Sequence, residues 1–397
     1  MPGRCDAVEA VATSGNLNSK KAAFVASVYR HFELFHLPFL TGLQDRGYEV
    51  HVYASADYAK ERLEARGLIC HDVQFERSPF QPKNVAALRA LIRSFREEQF
   101  TLVHVHTPVA SILGRIAARV CGVPSVLYTA HGFHFFTGAP KANWLLFAPV
   151  EWLMARQTDV LITINQEDYA RAQKFPVRGE VRYVPGVGLD TQVFQPPDQA
   201  AVRARLRGEL GLHEEEMVIL CVAELNANKN QSQLFEAVKR AAARGIAVRC
   251  LLVGVGELEA TYKQQVEEMG LSQIVTFLGY RLDIPDLMLA ADVSTLLSKR
   301  EGLPRSVMEA MAAGLPLVVT DVRGNRDLVQ DGENGYLVAT GDVEATADAF
   351  YQLYQDQKMR AEMGTRSKEK AAPYDLSFIS AEMMRIYELA ASGRFIG

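Results

Sequence analysis

The sequence Asp292-Val-Ser-Thr-Leu-Leu-Ser298, followed closely by Glu301-Gly-Leu-Pro-Arg-Ser-Val-Met-Glu309, is the most informative part of this chain for its architecture. The first part is a short apolar run, which predicts a buried strand. In the second part Pro304 suits the first turn of a helix, where its missing N–H loses no partner, and Gly314 suits the helix end. The stretch therefore predicts a strand that leads through a short loop into a helix.

Two carboxylates flank the predicted helix start. Glu301 is expected in the loop and Glu309 roughly 7–8 Å further along the helix axis, at about 1.5 Å per residue. Carboxylates accept the hydrogen bonds that sugar hydroxyls donate, and a helix N-terminus attracts phosphate. The spacing therefore indicates a site for a ligand that carries both hydroxyls and phosphate.

The same alternation of apolar runs and amphipathic segments extends along most of the chain. Helices are predicted over residues 34–47 and 85–98, among others. The predicted strands cover residues 22–28, 49–54, 68–75, 102–106, 125–129, 160–164 and 181–184, and then 217–223, 247–254, 274–278, 293–297, 317–320 and 335–338. Strands that alternate with helices predict parallel sheets covered on both faces. We therefore predict an α/β protein with two Rossmann-like domains that face each other across a cleft.

Domain boundaries follow from the breaks in this pattern. A linker rich in Gly and Pro is predicted over residues 186–200, between a first domain at 21–185 and a second at 201–375. A final helix within 376–397 is expected to pack back on the first domain. Residues 1–20 are small and polar, without the apolar segment of a signal peptide, and we predict that they form a disordered leader.

Composition narrows the class of protein. The 397 residues are 48% hydrophobic and 23% charged, which is typical of a soluble globular protein. Residues 1–190 carry a net charge of +3 and the remainder −7, so the first half is compatible with a lipid phosphate, although ordinary scatter explains the difference equally well. The five cysteines form no Cys-x-x-Cys pair and no run reaches the roughly 20 apolar residues of a membrane span. These features favour a cytoplasmic protein, and no nucleic-acid partner is expected.

Two loops at predicted strand ends could bind phosphate. Asn228 and Lys229 lie in a polar loop that opens a helix, and a loop lysine is either a phosphate clamp or an ordinary solvated side chain. Gly254 lies in a glycine-rich turn, which permits close approach to a ligand but also suits a plain tight turn. Both interpretations stay open for each loop.

Histidines cluster at strand ends in the first half. His131 and His134 follow a predicted strand, but no carboxylate or cysteine lies at ligand spacing, so we predict no metal site. His131 is better placed to contact a ligand across the cleft. His104 and His106 alternate within a strand and are expected to pack inside.

Both tryptophans lie in the segment Pro140–Arg156, whose helical run is apolar nearly all round. The segment predicts either a buried helix or a hydrophobic surface for a lipid acceptor or a membrane interface.

Taken together, these motifs resemble the retaining glycosyltransferases of family four, which have the GT-B fold. The resemblance extends from Lys21 to the C-terminal helix and is most specific in the Glu-x7-Glu motif and the Ala-Met-Ala-Ala-Gly-Leu-Pro that follows it. The His-Gly-Phe-His-Phe, Pro-Gly-Val-Gly-Leu-Asp and Glu-Leu-Asn-x-Asn-Lys-Asn segments look like the branch that builds capsules and exopolysaccharides.

The resemblance implies roles for individual residues. Glu301 would contact the donor sugar, Glu309 the ribose and Lys229 the diphosphate, while His131 would face the reacting carbon. The implied catalytic residues are His131, Glu301 and Lys229; the implied donor-binding residues are Glu309, Arg305, Gly302, Leu303, Gly254, Arg281 and Asn228; the implied acceptor-binding residues are Arg30, His31 and His134.

One position departs from the family pattern. Many members carry an arginine where this chain has Glu224, and a carboxylate there would repel phosphate. Either Arg305 takes over that role or Glu224 faces elsewhere, and we favour Arg305.

The resemblance implies a retaining transfer, without a cofactor, from a nucleotide sugar (a UDP-sugar) to a prenyl-diphosphate-linked glycan. Such an enzyme is expected at the inner face of the plasma membrane as a peripheral protein. The alternatives are a UDP-sugar epimerase, a phosphorylase, or a non-catalytic nucleotide-sugar-binding subunit of a polysaccharide assembly complex. A dinucleotide dehydrogenase is disfavoured because no Gly-x-Gly-x-x-Gly follows the first strand.

Overall fold

The computed structural model of the chain describes residues 20–76 and 81–394. Apart from Lys20, the predicted leader lies outside the described residues. The first domain contains the strands β1 Lys21–Val28, β2 Glu49–Ser55, β3 Ile69–Asp72, β4 Leu102–Val105, β5 Ser125–Ala130, β6 Val160–Thr163 and β7 Glu180–Tyr183. They form one parallel sheet in the order β3-β2-β1-β4-β5-β6-β7. Its helices are α1 Tyr29–Phe35, α2 Leu37–Gln44, α3 Lys60–Glu64, α4 Lys83–Glu98, α5 Pro108–Val120, α6 Lys141–Ala155 and α7 Gln166–Ala172.

The second domain repeats this organisation. Its strands are β8 Met217–Val222, β9 Val248–Val253, β10 Val275–Phe277, β11 Val293–Leu296, β12 Leu317–Thr320 and β13 Gly335–Val338. They form a second parallel sheet in the order β10-β9-β8-β11-β12-β13. The helices that follow β7 are α8 Gln199–Glu209, α9 Gln231–Ala243, α10 Glu259–Glu268, α11 Ile284–Ala290, α12 Arg305–Ala313, α13 Asn325–Leu328, α14 Val343–Gln355, α15 Gln357–Ala371 and α16 Leu376–Ala391.

The predicted strand pattern is confirmed: each predicted strand overlaps one of the strands above. Both sheets are buried on both faces, because neighbouring residues of one strand enter different cores. In β1, Phe24 packs in one apolar cluster and Val25 in another. This double burial explains why the strands are continuous apolar runs.

One helix prediction is wrong. Residues 34–47 do not form a single helix; α1 ends at Phe35 and α2 begins at Leu37, with His36 between them. Pro38 has no N–H to donate to the carbonyl of Leu34, and in a continuous helix its ring would collide with that carbonyl. The chain therefore turns at His36.

The last helix, α16, crosses to the first domain. Ile379, Met383 and Tyr387 lie in the core on one face of the first sheet, and the hydroxyl of Ser125 donates to the carbonyl of Ala390 over 2.7 Å. The start of α16 is tied to the linker, since the carboxylate of Asp375 accepts hydrogen bonds from the hydroxyl of Thr191 and from the N–H of Ser377.

The two domains are joined by a buried ion pair. Arg323, after β12, places its guanidinium 2.8 Å from the carboxylate of Asp168 in α7, and their side chains are 6% and 0% exposed. The same guanidinium donates to the carbonyl of Phe133 in the first domain and to that of Glu301 in the second. Asp168 in turn accepts from the N–H of Phe133. One arginine thus ties loops of both domains to each other.

We predict that Asp375→Ala lowers the free energy of unfolding by about 1 kcal/mol, because it removes a helix N-cap and the linker contact together. Hydrogen bonds from Ser377 and Thr191 lower the pKa of Asp375 to about 2. Its contribution is therefore complete above the unfolded pKa of about 3.9 and is lost as the pH falls towards 2. Urea unfolding at several pH values measures this, and a difference between the two proteins that stays constant down to low pH would contradict it.

We predict that Arg323→Met destabilises the protein by roughly 3–5 kcal/mol, because it leaves the carboxylate of Asp168 buried without its cation. Arg326→Met is the matched control, since Arg326 is 44% exposed and pairs with Asp321 at the surface, where such a pair contributes at most about 1 kcal/mol. Thermal and urea unfolding compare the two variants. Equal losses would show that the Arg323–Asp168 pair has no special role.

Candidate active site

The loops that follow β5 and β11 meet backbone to backbone in the cleft. A side chain on Gly302 would place its Cβ only 2.1 Å from the carbonyl oxygen of His131, and one on Gly132 would lie 2.9 Å from the guanidinium of Arg323. Gly132 also has a φ of 143°, which L side chains rarely adopt. Glycine at both positions is therefore required for the domains to approach this closely.

Beside this contact lies a cavity of about 380 Å³ between the domains. Several of the residues predicted to form the site line it together: His31, His131, Lys229, Glu301, Gly302, Leu303 and Arg305. They come from strand ends of both sheets, because the carboxyl ends of the two sets of parallel strands face the same cleft.

Lys229 and Glu301 form an ion pair at the cavity wall. The ammonium of Lys229 lies 2.6 Å from a carboxylate oxygen of Glu301, and the two side chains are 21% and 10% exposed. The loops that carry them are bound to each other, since the N–H of Lys299 donates to the carbonyl of Asn228 over 2.8 Å and the amide of Asn228 donates to the carbonyl of Arg300. A cation and a hydrogen-bond acceptor are thus presented side by side, which suits a ligand that carries both phosphate and hydroxyls.

Glu309 lies one helical turn after Arg305 on α12 and is held by it. The guanidinium of Arg305 donates to a carboxylate oxygen of Glu309 over 2.9 Å and to the carbonyl of Leu34 over 3.2 Å. Burial raises the pKa of Glu309, and Arg305 opposes that shift. Arg305 therefore reaches across the cleft to the first domain. The contact with a diphosphate that the sequence predicts for Arg305 would compete with its pairing to Glu309.

The remaining predicted donor residues have local partners. Glu224 is exposed and accepts a hydrogen bond from the amide of Asn226, so its carboxylate is not the partner of Lys229. Arg281 pairs with Asp283. A Cβ on Gly254 would lie 2.1 Å from the carbonyl oxygen of Ala223, so the glycine there is required by close packing of the protein itself.

The predicted acceptor residues are spread along the first-domain side. His31 lines the main cavity, and His134 lines a smaller recess of about 190 Å³ together with His131, Arg300 and Glu301. The ring of His134 packs 4.7 Å from that of Phe147. Arg30 is exposed, and its N–H donates to the carboxylate of Asp57.

Sequence reasoning did not find a basic recess next to Glu301. It has a volume of about 200 Å³, and four cations line it: Lys299, Arg300, Arg323 and Arg326. Lys299 and Arg300 are exposed, and neither has an ion-pair partner among residues 20–76 and 81–394. The signal was present in the sequence, because Lys299 and Arg300 directly precede Glu301.

Sequence reasoning also did not find a histidine cluster under the cavity. His131 does not associate with His134 but with His31, His36 and His106, which come from two other segments of the chain. The expectation that His106 packs inside holds, since it is fully buried.

The apolar helix α6 is exposed. Leu145, Leu146 and Leu153 are 78%, 57% and 55% exposed, and both tryptophans are about two-fifths exposed. The inner side is mixed: Phe147 and Ala148 pack against an apolar cluster, and the carboxylate of Glu151 accepts from Arg115 and from Tyr128. Of the two interpretations left open, a buried helix is therefore wrong. In the described part of the chain no helix has the length and apolarity needed to cross a membrane.

Two family models match the chain. The model described as "Glycosyl transferases group 1" covers residues 202–370, and the one described as "Glycosyl transferase 4-like" covers residues 23–165. Among curated relatives, "Putative glycosyltransferase EpsD" of Bacillus subtilis is 39% identical over 376 residues, which span 93% of this chain and 96% of the relative. The "UDP-Gal:alpha-D-GlcNAc-diphosphoundecaprenol alpha-1,3-galactosyltransferase" of Escherichia coli is 31% identical over 281 residues, 69% of this chain and 72% of the relative.

Solved structures have the same fold. Anabaena HepE, crystallised in complex with UDP and glucose, superposes with a TM-score of 0.78 at 23% identity and covers 93% of this chain and 99% of its own. WaaG, a glycosyltransferase involved in lipopolysaccharide biosynthesis, has a TM-score of 0.70 at 18% identity, with 92% and 99% covered. The predicted fold class is thus confirmed, and the chain belongs to the family-four, group 1 glycosyltransferases with the GT-B fold.

Proposed function

We propose that this glycosyltransferase moves a sugar, with retention of its anomeric configuration, from a UDP-sugar to a prenyl-diphosphate-linked glycan in exopolysaccharide or capsule synthesis. The observation that carries the proposal is the Lys229–Glu301 pair in the cavity between the domains, directly before the N-terminus of α12. A cation, a carboxylate and a helix N-terminus together match the phosphates and hydroxyls of a nucleotide sugar.

What relatives bind or act on supports the choice of substrates. The structure of HepE was solved with UDP and with UDP-glucose. The E. coli relative is named for a UDP-galactose donor and a diphosphoundecaprenol acceptor, and a Campylobacter jejuni relative at 23% identity is named for a diphospho-undecaprenol acceptor.

The proposed transfer depends mainly on charge and position. As the bond between the sugar and the diphosphate breaks, negative charge grows on the leaving diphosphate and is stabilised by Lys229 and by the N–H groups at the start of α12. Glu301 accepts hydrogen bonds from the sugar and Glu309 from the ribose, which fixes the donor for reaction. The departing diphosphate takes the proton of the acceptor hydroxyl as the new glycosidic bond forms. His131 lies on the opposite wall of the cavity, which the first domain forms.

The acceptor side has two features that suit a lipid diphosphate. The basic recess beside Glu301 offers Lys299 and Arg300, which have no ion-pair partner in the part of the chain that the structure describes. The exposed apolar side of α6 suits the membrane interface, and Arg156 stacks over the ring of Trp152 at 4.0 Å, which places a cation next to an aromatic group. These features support our proposal that the enzyme acts at the inner face of the plasma membrane as a peripheral protein.

We predict that Lys229→Met lowers turnover by about 10²–10³-fold, the usual cost of removing a group that stabilises transition-state charge. Glu301→Gln, which keeps the size of the side chain but loses its charge, should likewise abolish most transfer. The turnover of both variants is measured as release of free nucleotide from a panel of UDP-, GDP- and ADP-sugars, with and without a prenyl-diphosphate glycan. The same panel identifies the donor.

The controls for this panel are Lys239→Met and Glu267→Gln, because both side chains are exposed on helices of the second domain. They should leave turnover unchanged. Normal turnover in the Lys229 and Glu301 variants would refute the site. A free epimerised nucleotide sugar would favour the epimerase, and a requirement for phosphate would favour the phosphorylase. Donor binding without consumption would favour the non-catalytic subunit. Product linkage by NMR tests retention.

We also predict that the double variant Leu145→Glu, Leu153→Glu binds vesicles of phosphatidylglycerol and phosphatidylethanolamine at least about tenfold more weakly. The reason is that each leucine contributes about 1.5–3 kcal/mol when it becomes buried in the membrane. Leu282→Glu is the matched control, since Leu282 is 83% exposed on the second domain. Co-sedimentation measures binding. Equal binding by the α6 variant and the control would contradict a membrane surface on α6.

A further inference from the structure

Four histidines of the first domain form two pairs below the cleft. In each pair one ring lines the cavity between the domains and the other is buried behind it. His131, after β5, is backed by His106, after β4, and His31, in α1, is backed by His36, between α1 and α2. Nε2 of His131 lies 3.4 Å from Nδ1 of His106, and Nε2 of His31 lies 3.1 Å from Nε2 of His36. Each cavity-lining ring is therefore hydrogen-bonded to a buried ring through its Nε2 atom.

The rings of both pairs are neutral near pH 7. Burial lowers the pKa of all four histidines, for His131 to about 4. A neutral imidazole has one N–H, which donates, and one bare nitrogen, which accepts. In each pair one ring therefore donates and the other accepts. The direction of that hydrogen bond decides whether the remaining nitrogen of the cavity-lining ring is a donor or an acceptor.

The buried rings favour one direction. Nδ1 of His36 and Nε2 of His106 are the nitrogens that these rings do not use in the pairs, and both are buried without a hydrogen-bond partner among residues 20–76 and 81–394. If the buried rings accepted, these two atoms would be N–H donors without an acceptor. If the buried rings donate, the same atoms are bare nitrogens. Among buried main-chain groups a donor without an acceptor is the rarer defect, so the second arrangement is favoured.

We propose that His36 and His106 are positioning residues that set the tautomers of His31 and His131. Because Nε2 of each cavity-lining ring accepts from the buried ring behind it, the hydrogen of that ring lies on Nδ1. Neither Nδ1 atom has a hydrogen-bond partner within the part of the chain that the structure describes, so both are left for a ligand. The centroids of the two rings are 4.9 Å apart, so one ligand can meet both. The first-domain wall thus offers two neutral N–H donors, which suit oxygen atoms of a sugar or a phosphate.

The consequence for catalysis rests on the transfer proposed above. A nitrogen that carries a hydrogen cannot take up a proton, so neither His31 nor His131 acts as the base for the acceptor hydroxyl. The proton is left to the departing diphosphate. With the opposite tautomers, bare nitrogens would lie at the same two places and could act as bases. The two buried histidines therefore select hydrogen-bond donation over acid–base chemistry at this wall.

His104 provides a matched control. It lies two residues before His106, in β4, and is also buried, but its ring nitrogens are 2.9 Å from the hydroxyl of Tyr387 and 2.8 Å from that of Thr129. It makes no hydrogen bond to either cavity-lining ring. Its loss removes a buried imidazole next to the pairs without removing a partner of His31 or His131.

Two-bond ¹H–¹⁵N correlation spectra of the full-length protein test the proposal. With ¹⁵N-labelled histidine at neutral pH and without ligand, these spectra distinguish Nδ1–H from Nε2–H in each neutral ring. The signals that disappear in His31→Gln and in His131→Gln assign the two rings. We expect Nδ1–H at both. Nε2–H at either ring would overturn the proposal for that pair.

Variants of the buried rings test whether they set the tautomer. His106→Leu removes the donor, so His131 should gain the Nε2–H form, and His36→Leu should do the same for His31. His104→Leu should leave both tautomers unchanged, although it leaves two hydroxyls without their partner. Retention of Nδ1–H in the His36 and His106 variants, or an equal change in His104→Leu, would overturn the positioning role. Circular dichroism checks that each variant is folded, and the spectrum of the unchanged protein decides the tautomer where a variant is not.

Transfer assays separate failure of this inference from failure of the proposed function. In His106→Leu, kcat/KM for the UDP-sugar should fall about 2–10-fold, the usual effect of one neutral hydrogen bond. Nδ1–H in the spectra without consumption of any nucleotide sugar would refute the transfer and leave the tautomers standing. Active transfer by a protein whose His131 carries Nε2–H would refute the tautomer and leave the transfer standing.

Discussion

The geometry of the cleft depends on the buried ion pair between Arg323 and Asp168. An uncompensated charge in this position would be costly, so each partner requires the other to stay in place. Because Arg323 also binds the carbonyls of Phe133 and Glu301, the pair fixes the distance between the His131 loop and the Glu301 loop. Every group assigned to the transfer lies on or next to these two loops, so their relative position sets the shape of the site.

In the cleft, acidic side chains are paired with basic ones. Lys229 faces Glu301 and Arg305 faces Glu309, so each carboxylate of the motif has a cation from the same domain. At the proposed donor site a diphosphate would compete for the cations while hydroxyls would compete for the carboxylates. A donor with both kinds of group would therefore replace both partners at once, whereas a simple anion would leave the carboxylates unpaired. This is a physical reason for a nucleotide sugar to bind better than phosphate alone.

Much of the fold could be predicted from the sequence, and the failures have identifiable causes. The strands were found because parallel strands buried on both faces are short apolar runs between turn residues. The limits of α12 were found because Pro304 and Gly314 act locally, and Gly314 indeed adopts a left-handed conformation with a φ of 80°. The 34–47 helix was wrong because the effect of Pro38 on the preceding turn was overlooked. Helix α6 was ambiguous because composition does not show which side faces solvent.

The sequence by itself determined the α/β pattern, the cleft at the strand ends and the residues of the Glu-x7-Glu motif, because these depend on local periodicity and on motifs short enough to be read directly. The tertiary structure alone decided which distant residues meet. Arg323 and Asp168 are 155 positions apart, and the four histidines that cluster below the cleft come from three separate segments. No local rule predicts such contacts, since they follow from how the two sheets and the turn at His36 pack in space. The same is true of the contact between Arg305 and the carbonyl of Leu34, which depends on the closed cleft.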